Sequence, residues 1–237
     1  MPWWYAVIEA KHALQNPTSP EKIRLLGERL ELGPSSRVLD IASGKGGPAG
    51  ILSDTFGCRL TCVEQSPEFA AVARERASDL VEVIEGDAST YSFEAGAYDA
   101  ALCLGATFVY GGLRETIRAL VPAVRPGGFV AVGEPYWRAP VPEEFAPEAR
   151  WDSVSLPETV ARAESEGVQV VSLIDASYDD WDRYETLHWL ALEEWLAVNP
   201  EHAQAEEFRG RGRAHREGYL RWQRDLLGWA IFVCRVR

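Results

Sequence analysis

Val38-Leu39-Asp40-Ile41-Ala42-Ser43-Gly44-Lys45-Gly46-Gly47 is the stretch on which the reading of this chain turns. Its first four residues form a short apolar run broken by one acid, the pattern of a buried strand. Small residues follow, which let a backbone approach a ligand closely. A helical pattern from about Pro48 to Phe56 comes next, and its N-terminus offers free N–H groups to an anionic group. The loop alone leaves two readings open, because Gly44-x-Gly46-x-x-Ala49 also fits the dinucleotide fingerprint.

Working outward, short β-branched runs alternate with helical patterns, the signature of βαβ units around a parallel sheet. Upstream, Thr18 and Glu21 form a capping box, Ile23, Leu26 and Leu30 recur at helical spacing, and Gly33-Pro34 ends that helix. Downstream, the spacing predicts strands at Leu60–Glu64, Val81–Ile84, Tyr98–Leu104 and Phe129–Glu134. Ser66-Pro67 opens the helix after the second strand, and a helix through Leu113, Ile117 and Leu120 precedes Arg125-Pro126-Gly127-Gly128. Beyond a Pro- and Glu-rich loop at 138–157 lie a short helix and two more strands, Val168–Ile174 and Trp229–Cys234. The fifty or so residues between those strands are helical in pattern and carry Trp181, Trp189, Trp195 and Trp222. A structureless loop of that length is improbable, so they read as an insertion.

Acids at three strand ends decide between the two loop readings. Asp40 stands immediately before the turn, where it would repel a pyrophosphate but suits an ammonium group. Glu64 ends the second strand, where its two oxygens can accept a pair of ribose hydroxyls. Asp87, in Gly86-Asp87-Ala88 after the third strand, can accept from an adenine amine. Together they suit a cationic nucleoside.

Asp40-x-Ala42-x-Gly44-x-Gly46 resembles the first motif of class I S-adenosylmethionine-dependent methyltransferases. Glu64 resembles their ribose-binding acid and Asp87 their adenine-side acid, and Pro126-Gly127-Gly128 before the fifth strand is a family habit. Where the family usually has glycine this chain has Ala42, which puts closeness of approach in question. The likeness spans about residues 20–135 and the last strand pair. A second likeness, to a bacterial branch with no assigned substrate, lies in His12, Asn16-Pro17, Gly105-Ala106-Thr107, Gly133-Glu134-Pro135-Tyr136-Trp137 and Trp181-Asp182-Arg183-Tyr184-Glu185.

The resemblance implies one Rossmann-like, doubly wound α/β domain over residues 1–237, with a mostly parallel seven-stranded sheet and an antiparallel last strand. Residues 1–17 would form an N-terminal lid segment and residues 177–227 a helical lid insertion over the active site. The cofactor would be S-adenosylmethionine, leaving as S-adenosylhomocysteine, held by Asp40, Ala42, Ser43, Gly44, Gly46, Glu64, Gln65, Asp87, Ala88 and Leu104. Substrate enters over the carboxyl ends of strands four and five in such sheets. That places Thr107, Phe108, Tyr110, Tyr136 and Trp137 beside the acceptor, with Trp181 and Tyr184 from the insertion. Glu134 and His12 are the candidate bases for the methyl transfer.

The totals are those of a globular protein: 46% apolar, 25% charged, with a net charge of −12. That charge disfavours a nucleic-acid groove. The arginines from Arg209 to Arg224 are interleaved with acids and read as a solvated helix face. Cys58, Cys62, Cys103 and Cys234 lack zinc-site spacing and read as buried thiols, and no metal is called for. With no leader pattern and no membrane-length apolar run, the cytoplasm is the expected location and a small molecule the expected partner. Two other functions stay open at this level: an NAD(P)-dependent oxidoreductase, and a non-catalytic S-adenosylmethionine-binding protein.

Overall fold

A computed structural model describes residues 3–142, 144 and 152–237. Seven strands lie in the order β3-β2-β1-β4-β5-β7-β6: β1 (Arg37–Ile41), β2 (Arg59–Glu64), β3 (Val81–Glu85), β4 (Tyr98–Leu104), β5 (Val124–Trp137), β6 (Val168–Asp175) and β7 (Leu227–Val236). β7 runs antiparallel to both β5 and β6, and the pairings among β1 to β5 are parallel. The expected sheet is therefore present, with its reversed last strand.

Period-two alternation sorts each buried strand between two cores. Val38, Ala100, Leu102 and Leu104 face one side with Ile23, Leu26 and Leu30, from α2 (Pro20–Arg29) and its end, and with Leu52 of α3 (Gly47–Phe56). Leu39, Ile41, Ala101 and Cys103 face the other side, under α5 (Leu113–Leu120) and α6 (Leu156–Glu164). α4 (Pro67–Arg76) begins as the sequence predicts, with the Ser66 hydroxyl accepting from Phe69 N–H and proline at its first position. Most strands run one or more residues longer than the spacing predicts, and two boundaries differ for a local reason. Ser19, not Thr18, caps α2, because Pro20 takes the first helical position and the Ser19 hydroxyl reaches Lys22 N–H. β5 begins at Val124, before the Pro126-Gly127-Gly128 turn.

The insertion is helical, as expected. It comprises α7 (Tyr178–Val198), α8 (Ala205–Gly218), a π-helical turn (Tyr219–Gln223) and the helical residues Arg224–Leu226. Asp180 fastens it to the body by accepting from Lys22, Ser177 and Arg183. Asp182 secures the far end, taking hydrogen bonds from Arg224 at 2.9 Å and from the Tyr219 hydroxyl at 2.6 Å. α8 carries charges at its surface in pairs, such as Arg209 with Glu206 at 3.2 Å, as the solvated-face reading expects, but Arg211 departs from it by stacking over Trp4 at the larger cavity. A small separate core of Leu196, Ala205 and Phe208 takes in Trp4 from α1 (Trp3–Ile8), so the N-terminal segment and the insertion pack together. No helix among the described residues is long and apolar enough to cross a membrane.

Candidate active site

At the carboxyl ends of the strands lie two adjoining cavities. The smaller, about 310 Å³, is lined by Asp40, Ala42, Ser43, Gly44, Glu64, Gln65, Asp87, Ala88 and Leu104. One cavity thus gathers nearly all the residues that the sequence singles out for the cofactor. The exception is Gly46. Its left-handed backbone (φ 72°) caps α3 and packs against Ala73, where a Cβ would approach to 3.2 Å, so it shapes the loop from behind.

The acids differ in their bonding. Asp40 is 2% exposed, and its Oδ2 has no hydrogen-bond partner. Burial, reinforced by the nearby Glu64 carboxylate, pushes its carboxyl up to about 7. The Ser43 hydroxyl is likewise buried without a partner. Such orphaned groups are costly unless something binds them. Glu64 accepts at one oxygen from Gly44 N–H (2.8 Å) and at the other from Ser66 N–H (2.7 Å), so it also holds both turns in place. Asp87 accepts from the Ser89 N–H and hydroxyl, capping a 3₁₀ turn at the cavity edge. Ala42 adopts a left-handed backbone (φ 53°), a conformation that costs a non-glycine residue about 1–2 kcal/mol. Glycine would adopt this conformation without that cost.

The N-terminal segment covers this loop closely. A Cβ on Gly44 would lie 2.2 Å from Gln15 Oε1, and one on Gly105 would lie 2.0 Å from Asn16 Oδ1. Gln15 Oε1 accepts from Lys45 N–H at 2.8 Å, and the Asn16 amide donates to the Leu104 carbonyl at 2.9 Å. Glycine is therefore needed here as much for the chain's own strap as for a ligand.

The larger cavity, about 920 Å³, is lined mainly by apolar and aromatic residues, among them Trp4, Trp181, Tyr184, Trp189, Phe208 and Trp229. Thr107, Phe108 and Glu134 line it as expected. Tyr5, Asn16, Gly105 and Phe108 line both cavities, which fixes where the two meet. Glu134 accepts from the Thr107 hydroxyl at 2.8 Å, and burial, which outweighs that bond, pushes its carboxyl up to about 7.

Four expected residues fall outside these walls. The Tyr110 hydroxyl donates to the Ala88 carbonyl, and the Tyr136 ring fills the space above Gly228 with its hydroxyl on Asp175. Trp137 packs against the core on the α2 side of the sheet. His12 is 1% exposed, and its Nε2 donates to the Tyr184 carbonyl at 2.8 Å, too enclosed to meet an acceptor. Sequence reasoning missed Glu9, Lys45 and Glu185. All three belong to a buried polar cluster in which Glu9 accepts from His188 Nε2 at 2.9 Å, and Lys45 donates to the Glu9 carbonyl. Burial works against a charge on His188, but the neighbouring Glu185 and Glu9 carboxylates outweigh it and raise the imidazole to about 9.

Glu64→Ala tests the double role of that acid. Two hydrogen bonds to a buried carboxylate are lost, each worth about 1.5–3 kcal/mol, while repulsion with Asp40 is relieved. The expected result is a folded chain about 2 kcal/mol less stable by denaturant titration. Unchanged stability would show that the two turns do not depend on Glu64.

This sheet order, with acid-ended strands facing one cavity and a second cavity beside it, is that of the S-adenosylmethionine-dependent methyltransferases, and full-length relatives at 35–37% identity show that the chain belongs to that family. Residues 38–128 match the model of a methyltransferase domain. The chain is similar to an S-adenosylmethionine-dependent methyltransferase of Thiobacillus denitrificans, solved with S-adenosyl-L-homocysteine, at 35% identity and a TM-score of 0.94, over 100% of this chain and 99% of that one. A Geobacter sulfurreducens methyltransferase, also solved with S-adenosyl-L-homocysteine, stands at 37% identity and 0.94, with the same coverage. The uncharacterized protein YjhP of Escherichia coli (strain K12) is 33% identical over 247 residues, covering 100% of this chain and 99% of that protein. S-adenosylmethionine is the cofactor of the family.

Proposed function

We propose that this enzyme methylates a small, largely apolar molecule bound in the larger cavity beneath the insertion. The observation that carries the reading is the junction of the two cavities at Tyr5, Asn16, Gly105 and Phe108, beside Glu134. When bound, the cofactor supplies an electrophilic sulfonium methyl. The smaller cavity fits it: Asp40 is a buried, unpartnered carboxylate suited to the ammonium, Glu64 suits the ribose hydroxyls, and Asp87 suits the adenine amine. The aromatic walls strip water from the acceptor and fix its orientation, the main sources of acceleration in an in-line displacement. Glu134 takes the proton of a hydroxyl or ammonium acceptor. The N-terminal segment and the insertion serve as the lid, since both supply walls of the larger cavity.

An aromatic-walled cavity and a net charge of −12 support a small acceptor over a nucleic acid or a membrane surface. Four buried free thiols support a reducing compartment such as the cytoplasm. Calorimetric titration with S-adenosylhomocysteine, with NAD and NADP in parallel, tests the cofactor half of the reading. Binding of the first alone is expected. The acceptor half is tested by methyl transfer to a panel of apolar amines, phenols and carboxylic acids, with polar metabolites as controls. Turnover confined to the polar set would refute the apolar class.

A further inference from the structure

Between the two cavities lies a polar cluster that methyl transfer does not use. Glu9 and His12 sit one turn apart just after α1, with His12 N–H bonded to the Glu9 carbonyl at 3.0 Å, so both side chains project the same way. His188 meets them from α7, its ring centroid 4.3 Å from that of His12. Glu9 and His12 are 1% exposed and His188 is 8% exposed. One ligand-capable atom from each of the three lies within 4.8 Å of the others.

Two of these atoms lack partners in a telling way. The Tyr184 carbonyl can only accept, so His12 Nε2 carries the proton and Nδ1 presents a lone pair. That lone pair faces Glu9 Oε2 at 3.5 Å, and both atoms are buried without a hydrogen-bond partner. Two buried acceptors facing each other repel unless a proton or a metal cation joins them. Their separation is close to the ~3.4 Å edge of a tetrahedron with metal–ligand bonds of about 2.1 Å. A backbone carbonyl on the far nitrogen is also how ligating histidines are usually oriented. Glu185, whose Oε2 lies 3.9 Å from His188 Nδ1, adds a second carboxylate to balance a dication.

We propose that Glu9, His12 and His188 bind a transition-metal dication of the zinc or cobalt type, which staples the N-terminal segment to the insertion. Two imidazoles and one carboxylate suit such ions and not magnesium or calcium, which take oxygen ligands. Binding replaces the hydrogen bond between His188 Nε2 and Glu9 Oε1, and its proton leaves to solvent. Glu9 lines the smaller cavity and His188 the larger, so the ion would sit in the wall they share.

The test uses the full chain, stripped with a chelator and titrated with Co²⁺ while its visible ligand-field absorption is followed. Bound metal is counted by elemental analysis after gel filtration. One Co²⁺ per chain, displaced by Zn²⁺, is expected. Glu9→Gln combined with His188→Gln should weaken binding at least a hundredfold, and His12→Ala alone should do so too. No stoichiometric uptake by the wild-type chain would overturn the proposal and leave a buried ion pair. Equal uptake by the folded double variant would overturn it as well, by placing the ion elsewhere. S-adenosylhomocysteine binding, titrated separately on metal-free protein, keeps the methyltransferase reading independent of either outcome.

Discussion

Glu134→Gln is expected to lower the rate of methyl transfer by about a hundredfold or more and to leave S-adenosylhomocysteine affinity unchanged. The side chain lines the acceptor cavity and is absent from the walls of the cofactor cavity, so substitution should divide the two functions cleanly. Glutamine keeps the volume and can still pair with the Thr107 hydroxyl, which removes misfolding as an explanation for lost turnover. The wild-type profile gives a second readout. Burial raises this carboxyl to about 7, with Asp152 adding to the shift and Thr107 opposing it. A base must be ionised to act, so with S-adenosylmethionine kept saturating, which removes the effect of Asp40 on binding, turnover should rise with pH through about 7 and then level off, and the variant should lack that limb. Equal turnover in wild type and variant, with the same pH profile, would remove Glu134 as the base.

The parts of this molecule legible in its sequence are those whose meaning is local. The run from Val38 to Gly47 holds a strand, a tight loop and a helix start within ten residues, and each element shows in residue type and period. Asp40, Glu64 and Asp87 are readable because a strand end brings an acid to one edge of a parallel sheet wherever it falls in the chain. The wall between the cavities is a different case. Glu9 meets His188 across 179 residues of sequence, and Lys45 reaches back to the turn carrying Glu9 and His12. Nothing in the spacing of those residues announces the meeting. His12 alone reads as one isolated histidine in an N-terminal segment. Gly44 and Gly105 show the opposite failure, a correct residue with an incomplete reason. Their lack of a side chain suits a ligand, but the structure also spends it on Gln15 and Asn16 of the strap. Tyr136 and Trp137 follow Glu134 along β5 and look like site residues by proximity, yet side-chain packing turns both into the core.

Asp40 should show a conflict between stability and binding with a definite sign. Its carboxyl is fully buried, faces Glu64 and has an oxygen with no partner, so the ligand-free fold disfavours the charged form and raises its pKa to about 7. A raised folded-state pKa means the folded chain takes up a proton more readily than the unfolded one. The stabilisation from that proton is complete below about pH 4 and is lost as pH climbs through about 7. Above pH 7 the folded chain therefore carries an unpaired buried anion. Asp40→Asn removes that anion at nearly constant shape and is expected to stabilise the ligand-free protein at pH 8 by on the order of 2 kcal/mol. The same substitution, and Asp40→Ala with it, should weaken S-adenosylhomocysteine binding at least tenfold, because the ligand's ammonium loses a buried carboxylate oxygen that no group of the protein satisfies. Wild-type affinity should fall toward tenfold per pH unit below about 7, as the carboxylate must first shed its proton, and the Asn variant should be flat over that range. Glu134 titrates in the same range but faces the other cavity, so it does not confuse the reading. If Asp40→Asn lowered stability and left the affinity unchanged, Asp40 would be a structural acid bonded within the fold, and the ammonium would have to be held elsewhere.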